Sequence, residues 1–346
     1  MNHYFKKLII ITFFLSQTLY SLIYKTESFY QPQSGKKALV LWDVHTDYAF
    51  GMCPQLTYKQ ANCFENFAQN NPQIQITVET PVTTHCILKT LSKDLEIQCP
   101  PLNPNLITLL SSSKKVNINP CDDLRSLLAP AKLLEVAASI GKNPSLDAKL
   151  IPYLNKSTFF SNNHLDWLLG KYNQKIKQFF KFGYSKLGPV LAEIADLVKK
   201  DLNDIKSAIN NAEGSKPLSK TIKEAVFGKL LTLGMLKALN QLSGCANGPE
   251  LDALEKILNY KNQLTVIIVG AYHASILAKM LIAAEFTTIR TYEKSPIQVI
   301  TSASTAAQRC GFDKNDIAFE NLFVTESELR ENLNNFATDF SLCQIL

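Results

Sequence analysis

The residues best suited to chemistry in this sequence are two histidines and a glutamate. His45, Glu79 and His273 each stand at the end of a run of residues typical of a buried strand. If those strands are parallel, their carboxyl ends lie along one edge of a sheet, where sites form. Two imidazoles and a carboxylate can hold a divalent metal such as Mn, Co or Zn. A metal there would lower the pKa of bound water toward about 7, and without metal Glu79 or a histidine is the candidate general base.

Further candidates lie beside these three residues. Asp43 and Asp47 flank the first histidine and are candidate metal ligands, with capping of the turn and the next helix as the alternative. Gly270 and Tyr272 belong to the turn that carries the second histidine. Arg125, in the segment CDDLR, is a candidate contact for an anion, and its alternative is an arginine on a helix surface.

The elements that must position these side chains alternate between strands and helices. Strands are predicted over 38–42, 74–79, 115–119, 264–269, 287–291 and 298–301, and helices over 57–69, 191–209, 219–242 and 250–258. This alternation favours an α/β fold with a mostly parallel sheet, flanking helices and a helical insertion or cap. The predicted domain plan is a first part of the α/β domain over 38–144, a helical insertion over 145–245 and a second part over 246–346.

The amino terminus has the layout of a signal peptide. Lys6 and Lys7 precede the apolar run 8–15, and small and polar residues follow over 16–21. The run is shorter than the ~20 residues that span a bilayer. We therefore predict a signal peptide over 1–21, a linker over 22–37 and a periplasmic or secreted mature chain. An uncleaved anchoring helix is the alternative.

Charge and composition narrow the function classes. The chain has a net charge of +6, and removal of Lys6 and Lys7 would leave 34 basic against 30 acidic residues, or +4. That excess is too small to favour nucleic acid as a partner. The sequence is 46% hydrophobic and 19% charged, a balance that can bury a core.

Eight cysteines raise the question of disulfides. They are residues 53, 63, 86, 99, 121, 245, 310 and 343. Export permits disulfides, and an even number permits full pairing. Buried free thiols are the alternative. The spacing includes no CxxC motif, which argues against a zinc–cysteine site.

Three segments resemble the TraB/GumN/Tiki superfamily and the more distant ChaN-like and erythromycin-esterase-like proteins. Residues 264–286 are similar to a GxxH motif after a late strand, with Gly270 and His273 in place. Residues 75–81 resemble the strand that ends in glutamate. Residues 38–47 resemble an earlier GxxH motif, although Trp42 occupies the glycine position. The resemblance implies a metal-assisted hydrolase or peptidase in some members and haem or iron handling in others.

Other enzyme classes match less of the sequence. The segment DVHTD resembles arginase-type manganese enzymes, but the later aspartate-rich motif is missing. The first motif of calcineurin-like phosphoesterases is also present without its GDxxD and GNH partners, and no GxSxG supports a serine hydrolase.

The main alternative to an enzyme is a secreted or envelope interaction protein that keeps the fold. Residues 167–192 contain no acidic residue, and lysines alternate there with tyrosines and phenylalanines. Such a segment could lie on an anionic membrane surface. Its alternative is a basic helix that packs its aromatic residues on the core.

Overall fold

A computed structural model of the chain describes residues 21–45, 54–79, 110, 118–121, 162–213, 248–260, 264–300 and 321–338. Six strands form one sheet: β1 Ser21–Gln31, β2 Lys36–His45, β3 Gln75–Val78, β4 Ile118–Pro120, β5 Leu264–Gly270 and β6 Thr287–Glu293. The helices in the described ranges are α1 Pro54–Asn70, α2 Asn162–Phe179, α3 Leu187–Glu213, α4 Gly248–Asn259, α5 Ala271–Ala283 and α6 Glu326–Thr338. A short 3₁₀ helix, Phe180–Phe182, follows α2.

The sheet has the strand order β4-β3-β5-β2-β1-β6 and is mixed. β2, β5, β3 and β4 pair in parallel, whereas β1 is antiparallel to both β2 and β6. The predicted α/β class is confirmed, but the prediction of a mostly parallel sheet is wrong. The reason is a tight turn at 32–35 that folds β1 back onto β2, because a short hairpin can only join antiparallel strands. Gly35 has a φ of 69° in this turn, and its N–H donates to the Gln31 carbonyl at 2.9 Å.

β1 occupies most of the segment 22–37 that the sequence predicts to be a linker, so that prediction is wrong. Leu22, Ile23 and Phe29 are fully buried, as expected of a strand inside the sheet. A bulge between Ile23 and Lys25 shifts the register against β2. The bulge breaks the regular alternation of apolar and polar residues, and this conceals the strand from a reading of the sequence.

Helices cover both faces of the sheet. One face packs against α1 and α6 in a single apolar cluster that includes Leu39, Leu41, Phe64, Ile76, Val78, Val266, Ile268, Leu329, Leu333 and Phe336. On the other face α5 contacts β2 and β5, and α4 contacts β5. Helices α2 and α3 lie outside this layer, against α4 and α5 respectively. The core therefore lies on both faces of β2 and β5. Each fully buried large apolar side chain in it contributes roughly 1.5–3 kcal/mol to the stability of the fold.

A capping box begins α6. Thr325 Oγ1 accepts the Glu328 N–H at 3.3 Å, and the Glu328 carboxylate accepts the Thr325 N–H at 2.8 Å. Tyr292 and Lys294 also donate to Glu328, at 2.5 Å and 2.6 Å. Partial burial opposes the charge of Glu328, but these bonds outweigh it and lower its pKa to about 2. The capping box therefore ties α6 to the end of β6.

A buried glutamine joins α1 to two other parts of the fold. Gln60 Nε2 donates to the Val324 carbonyl at 2.7 Å, and Gln60 Oε1 accepts the Ile23 N–H at 3.3 Å. Val324 N–H also donates to the Ile23 carbonyl at 2.8 Å. The Gln60 side chain thus satisfies one backbone group of β1 and one of the segment before α6.

Other sequence predictions have mixed outcomes. The strand predicted over 298–301 is wrong, because 297–300 is helical and Pro296 before it suits a first helical turn. The predicted helix 219–242 and nearly all of the signal peptide lie outside the described residues. Cys63 is a buried free thiol and Cys121 is also buried. The other six cysteines lie outside the described residues. None of the helices in the described ranges is long and apolar enough to cross a membrane.

Candidate functional site

Two neighbouring parallel strands bring Glu79 and His273 together. β3 pairs with β5, and the Glu79 N–H continues this ladder by donating to the Ile268 carbonyl at 2.9 Å. β5 ends at Gly270 and α5 begins at the next residue, so His273 stands in the first turn of a helix rather than in a loop. Glu79 Oε1 lies 3.4 Å from His273 Nε2, and both side chains are buried. The sequence predicts that His45, Glu79 and His273 meet; Glu79 and His273 do. The side chain of His45 lies outside the described residues.

The second oxygen of Glu79 binds the start of α5. Glu79 Oε2 accepts the Gly270 N–H at 2.8 Å. Gly270 is the residue before the helix and has no side chain to cap it. The carboxylate from β3 therefore does the work of a capping residue, at the helix end where a negative charge is favoured. This bond fixes the position of Glu79 relative to β5.

Glu250 is a site residue that the sequence does not single out. Its Oε2 lies 2.8 Å from His273 Nδ1. Glu250 is fully buried in the first turn of α4, and its Oε1 has no hydrogen-bond partner among the described residues. A glutamate after Gly-Pro at a helix start is ordinary in sequence, so only its burial distinguishes it. We call Glu79, His273 and Glu250 the carboxylate–histidine cluster.

The cluster favours a charged imidazole. Burial is the largest influence on His273 and opposes its charge, but the nearby carboxylates of Glu79 and Glu250 outweigh it and raise the pKa to about 10. Burial also raises the pKa of Glu250, and the neighbouring imidazole opposes that change. The carboxylates thus hold a buried positive charge between them.

Helix α4, which carries Glu250, is anchored along its length. Lys175 of α2 lies 2.7 Å from Asp252 Oδ1 and also pairs with Glu255. At the other end of the helix, Lys36 Nζ donates to the Ile257 carbonyl at 3.0 Å. A lysine at a helix carboxyl end complements the helix dipole. These contacts hold Glu250 at a defined distance from α5.

The remaining candidates from the sequence have separate surroundings. Asp43 is fully buried and is the β2 partner of Gly270 in the sheet register. Its charge helps to raise the pKa of Tyr24, after burial and Glu293 as larger causes. His45 is the last residue of β2, two positions beyond Asp43.

Tyr272, Asp47 and Arg125 complete the set of candidates. Tyr272 is 56% exposed, and its ring lies edge-on to His273 with the ring centres 5.7 Å apart. Tyr272 therefore lies between solvent and the cluster. Asp47 and Arg125 are outside the described residues.

The geometry of Glu79 and His273 is compatible with two ligands of one metal ion. Bonds of about 2.1 Å at tetrahedral angles place neighbouring ligand atoms about 3.4 Å apart. The distance from His273 Nε2 to Glu79 Oε1 is 3.4 Å. A carboxylate on the other imidazole nitrogen, as Glu250 provides, is the usual support of a histidine ligand. No third His, Cys, Asp or Glu joins them among the described residues to complete a metal-binding group.

Comparison with known proteins adds no relative. No protein-family model, no curated protein and no solved structure matches this chain. The resemblance to the TraB/GumN/Tiki superfamily therefore stays a prediction.

Proposed function

We propose that this chain is an exported, metal-dependent hydrolase of peptidase or esterase type whose site is the carboxylate–histidine cluster. The single observation that carries the proposal is the line of contacts from Glu250 through His273 to Glu79. One buried carboxylate orients the imidazole, and the other nitrogen faces a second carboxylate. The line ends at the carboxyl edge of β3 and β5, where sites of α/β proteins form.

Each residue has a definite role in this proposal. Glu250 binds Nδ1 of His273 and leaves Nε2 for the reaction centre. Glu79 is held by the Gly270 N–H and offers Oε1 to the same centre. His45, at the end of the strand next to β5, is the proposed third ligand. A divalent metal would displace the proton on His273 Nε2 and would supply a bound water of lowered pKa as the nucleophile.

Metal binding tests the proposal directly. The purified chain should take up Co²⁺, Zn²⁺ or Mn²⁺ in a 1:1 ratio, measured by calorimetry and by the visible absorption of bound Co²⁺. Glu79→Gln and His273→Ala should abolish this uptake in folded protein. Glu193→Gln is the matched control, because Glu193 is exposed on α3 and far along the chain from the cluster. Absence of uptake in the unsubstituted chain would remove the metal from the proposal.

Hydrolysis is tested separately with chromogenic esters and fluorogenic peptide mixtures. Activity that falls at least about 100-fold in Glu79→Gln and is retained in Glu193→Gln supports the hydrolase. Activity that is equal in both variants contradicts it. Activity without metal uptake would instead assign the base to Glu79 or His273.

The alternative function is a binding or interaction protein that keeps the fold. The observation in its favour is that both imidazole nitrogens of His273 already face buried carboxylates. In this reading the cluster only fastens α4, α5 and β3 together. Such a protein would lose stability in His273→Ala, bind no metal and hydrolyse none of the test substrates.

Export is the remaining part of the proposal. It is supported by the basic and apolar pattern of 1–21, which precedes the first residues of β1. Amino-terminal sequencing of the product from the expressing cell should find a start between residues 19 and 22. A product that begins at Met1 would contradict export by a cleaved signal.

A further inference from the structure

The basic, aromatic segment of the sequence divides its aromatic residues between the core and the surface. Tyr172 and Phe179 of α2 are buried. Trp167 at the start of the segment is 45% exposed, and Phe180 in the 3₁₀ helix is 60% exposed. Packing on the core therefore explains the first two residues, whereas the other two expose much of their rings to solvent.

Trp167 begins a stripe of polar and basic residues on the outer side of α2. Trp167, Lys171, Gln174 and Gln178 follow helical spacing, and all four are exposed. The buried residues of α2 lie on its opposite side. Phe180, in the 3₁₀ helix after α2, lies thirteen positions beyond Trp167, which corresponds to about 20 Å along a helix.

The segment that carries this surface has only positive charges. Lys171, Lys177, Lys181 and Lys186 are exposed, and the sequence has no acidic residue from 167 to 192. Lys175 is the exception among the lysines, because its charge is used in the contacts to α4. Lys171 lies over the Trp167 ring at 5.6 Å and Lys181 over the Phe182 ring at 4.9 Å. We call these exposed aromatic and basic residues the basic–aromatic face.

We propose that the basic–aromatic face docks on the surface of an anionic phospholipid membrane. Tryptophan and other amphipathic aromatic rings favour the level of the lipid headgroups, and the lysines between them would contact the headgroup charges. A polyanion in solution would use the lysines but would leave Trp167 in water. The exposed Trp167 ring beside these lysines therefore favours a membrane over a soluble polymer.

Vesicle binding of the full chain tests this docking. The vesicles are phosphatidylcholine alone or with about a third of phosphatidylglycerol. The apolar segment 8–15 could bind vesicles by itself, so the comparison is between variants of the same chain. The test variant is Lys171→Gln/Lys177→Gln/Lys181→Gln. The matched control is Lys59→Gln/Lys199→Gln/Lys279→Gln, which removes three exposed lysines from other surfaces.

The expected result is specific for the face. Each lysine near an anionic surface changes the affinity about fivefold, so the test variant should bind anionic vesicles about 100-fold more weakly. The control should stay within about tenfold of the unsubstituted chain. Equal binding by the test and control variants would overturn the proposal. Circular dichroism and melting temperature confirm that the variants are folded.

Tryptophan fluorescence reports where the face lies. The chain has two tryptophans, so in Trp42→Phe the emission comes from Trp167 alone. Anionic vesicles should shift this emission to the blue, and neutral vesicles should leave it unchanged. Dextran sulfate in place of vesicles is the polymer control. Stronger binding to dextran sulfate with no blue shift on vesicles would assign the face to a soluble polyanion and overturn the membrane proposal.

Discussion

Glu250→Gln is the substitution that most directly tests the reasoning about the site. The glutamine keeps the size of the side chain and can still accept a hydrogen bond from His273 Nδ1, but it removes one of the charges that face the imidazole. The two atoms lie 2.8 Å apart in a fully buried position. The substitution therefore isolates the charge of Glu250 from its shape.

The expected magnitude follows from two opposing effects. Removing one partner of a buried ion pair costs about 3–5 kcal/mol when the other charge stays buried. Burial raises the pKa of Glu250, so removing its charge also relieves part of a desolvation cost. We expect the free energy of unfolding to fall by about 2 kcal/mol, which corresponds to about 4–8 °C in melting temperature.

A double-mutant cycle separates these effects. The free energy of unfolding is measured in urea for the unsubstituted chain, Glu250→Gln, His273→Asn and the double variant. We expect a coupling energy of at least about 1.5 kcal/mol between the two positions. Glu193→Gln combined with His273→Asn is the control and should be additive. A coupling energy below about 0.5 kcal/mol would refute the ion pair as a structural element of the site.

Three other predictions concern the fold. Glu328 has a pKa of about 2, below its ordinary 4.5, so its carboxylate stabilises the folded state above about pH 4.5 and loses this effect as the pH falls toward 2. Urea unfolding of Glu328→Gln should show a loss of about 1–2 kcal/mol at pH 7 that shrinks at pH 3, because the partial exposure of the group weakens the full effect; a loss of equal size at both pH values would contradict this. Gln60→Leu should lower the free energy of unfolding by about 2–3 kcal/mol, because it leaves the Val324 carbonyl and the Ile23 N–H without the groups that bind them. A melting temperature equal to that of the unsubstituted chain would contradict this. Cys63 and Cys121 should resist iodoacetamide in the native protein and react after unfolding, as read by peptide mass mapping, whereas rapid native labelling would contradict their burial.

The parts of the fold that the sequence predicts well are those with a strong local pattern. β5 is a continuous apolar run that is buried at every position, and the sequence predicts it to within one residue. The meeting of Glu79 and His273 is also predictable, because parallel strands place their carboxyl ends at one edge. Neither inference needs knowledge of how distant helices pack.

The parts that the sequence does not predict depend on packing between distant segments. β1 has a bulge and polar residues such as Lys25 and Glu27, and it becomes a strand because β2 and β6 pair with both of its edges. Glu250 has the ordinary features of a residue in a first helical turn. Its role depends on how α4 is placed against α5, and Lys175 and Lys36 help to fix that placement from other parts of the chain.

The balance of charge in the cluster explains how two carboxylates can be buried together. Glu79 lies at the amino end of α5, and Glu250 lies at the amino end of α4. Each helix end is equivalent to roughly half a positive charge, so two helix ends and the imidazolium of His273 together offset two carboxylates. Removing Glu250 alone leaves an excess of positive charge, and removing the imidazole alone leaves two like charges close together. The double variant changes both partners, so it should be more stable than the sum of the two single losses allows, which is the coupling that the urea measurements would detect.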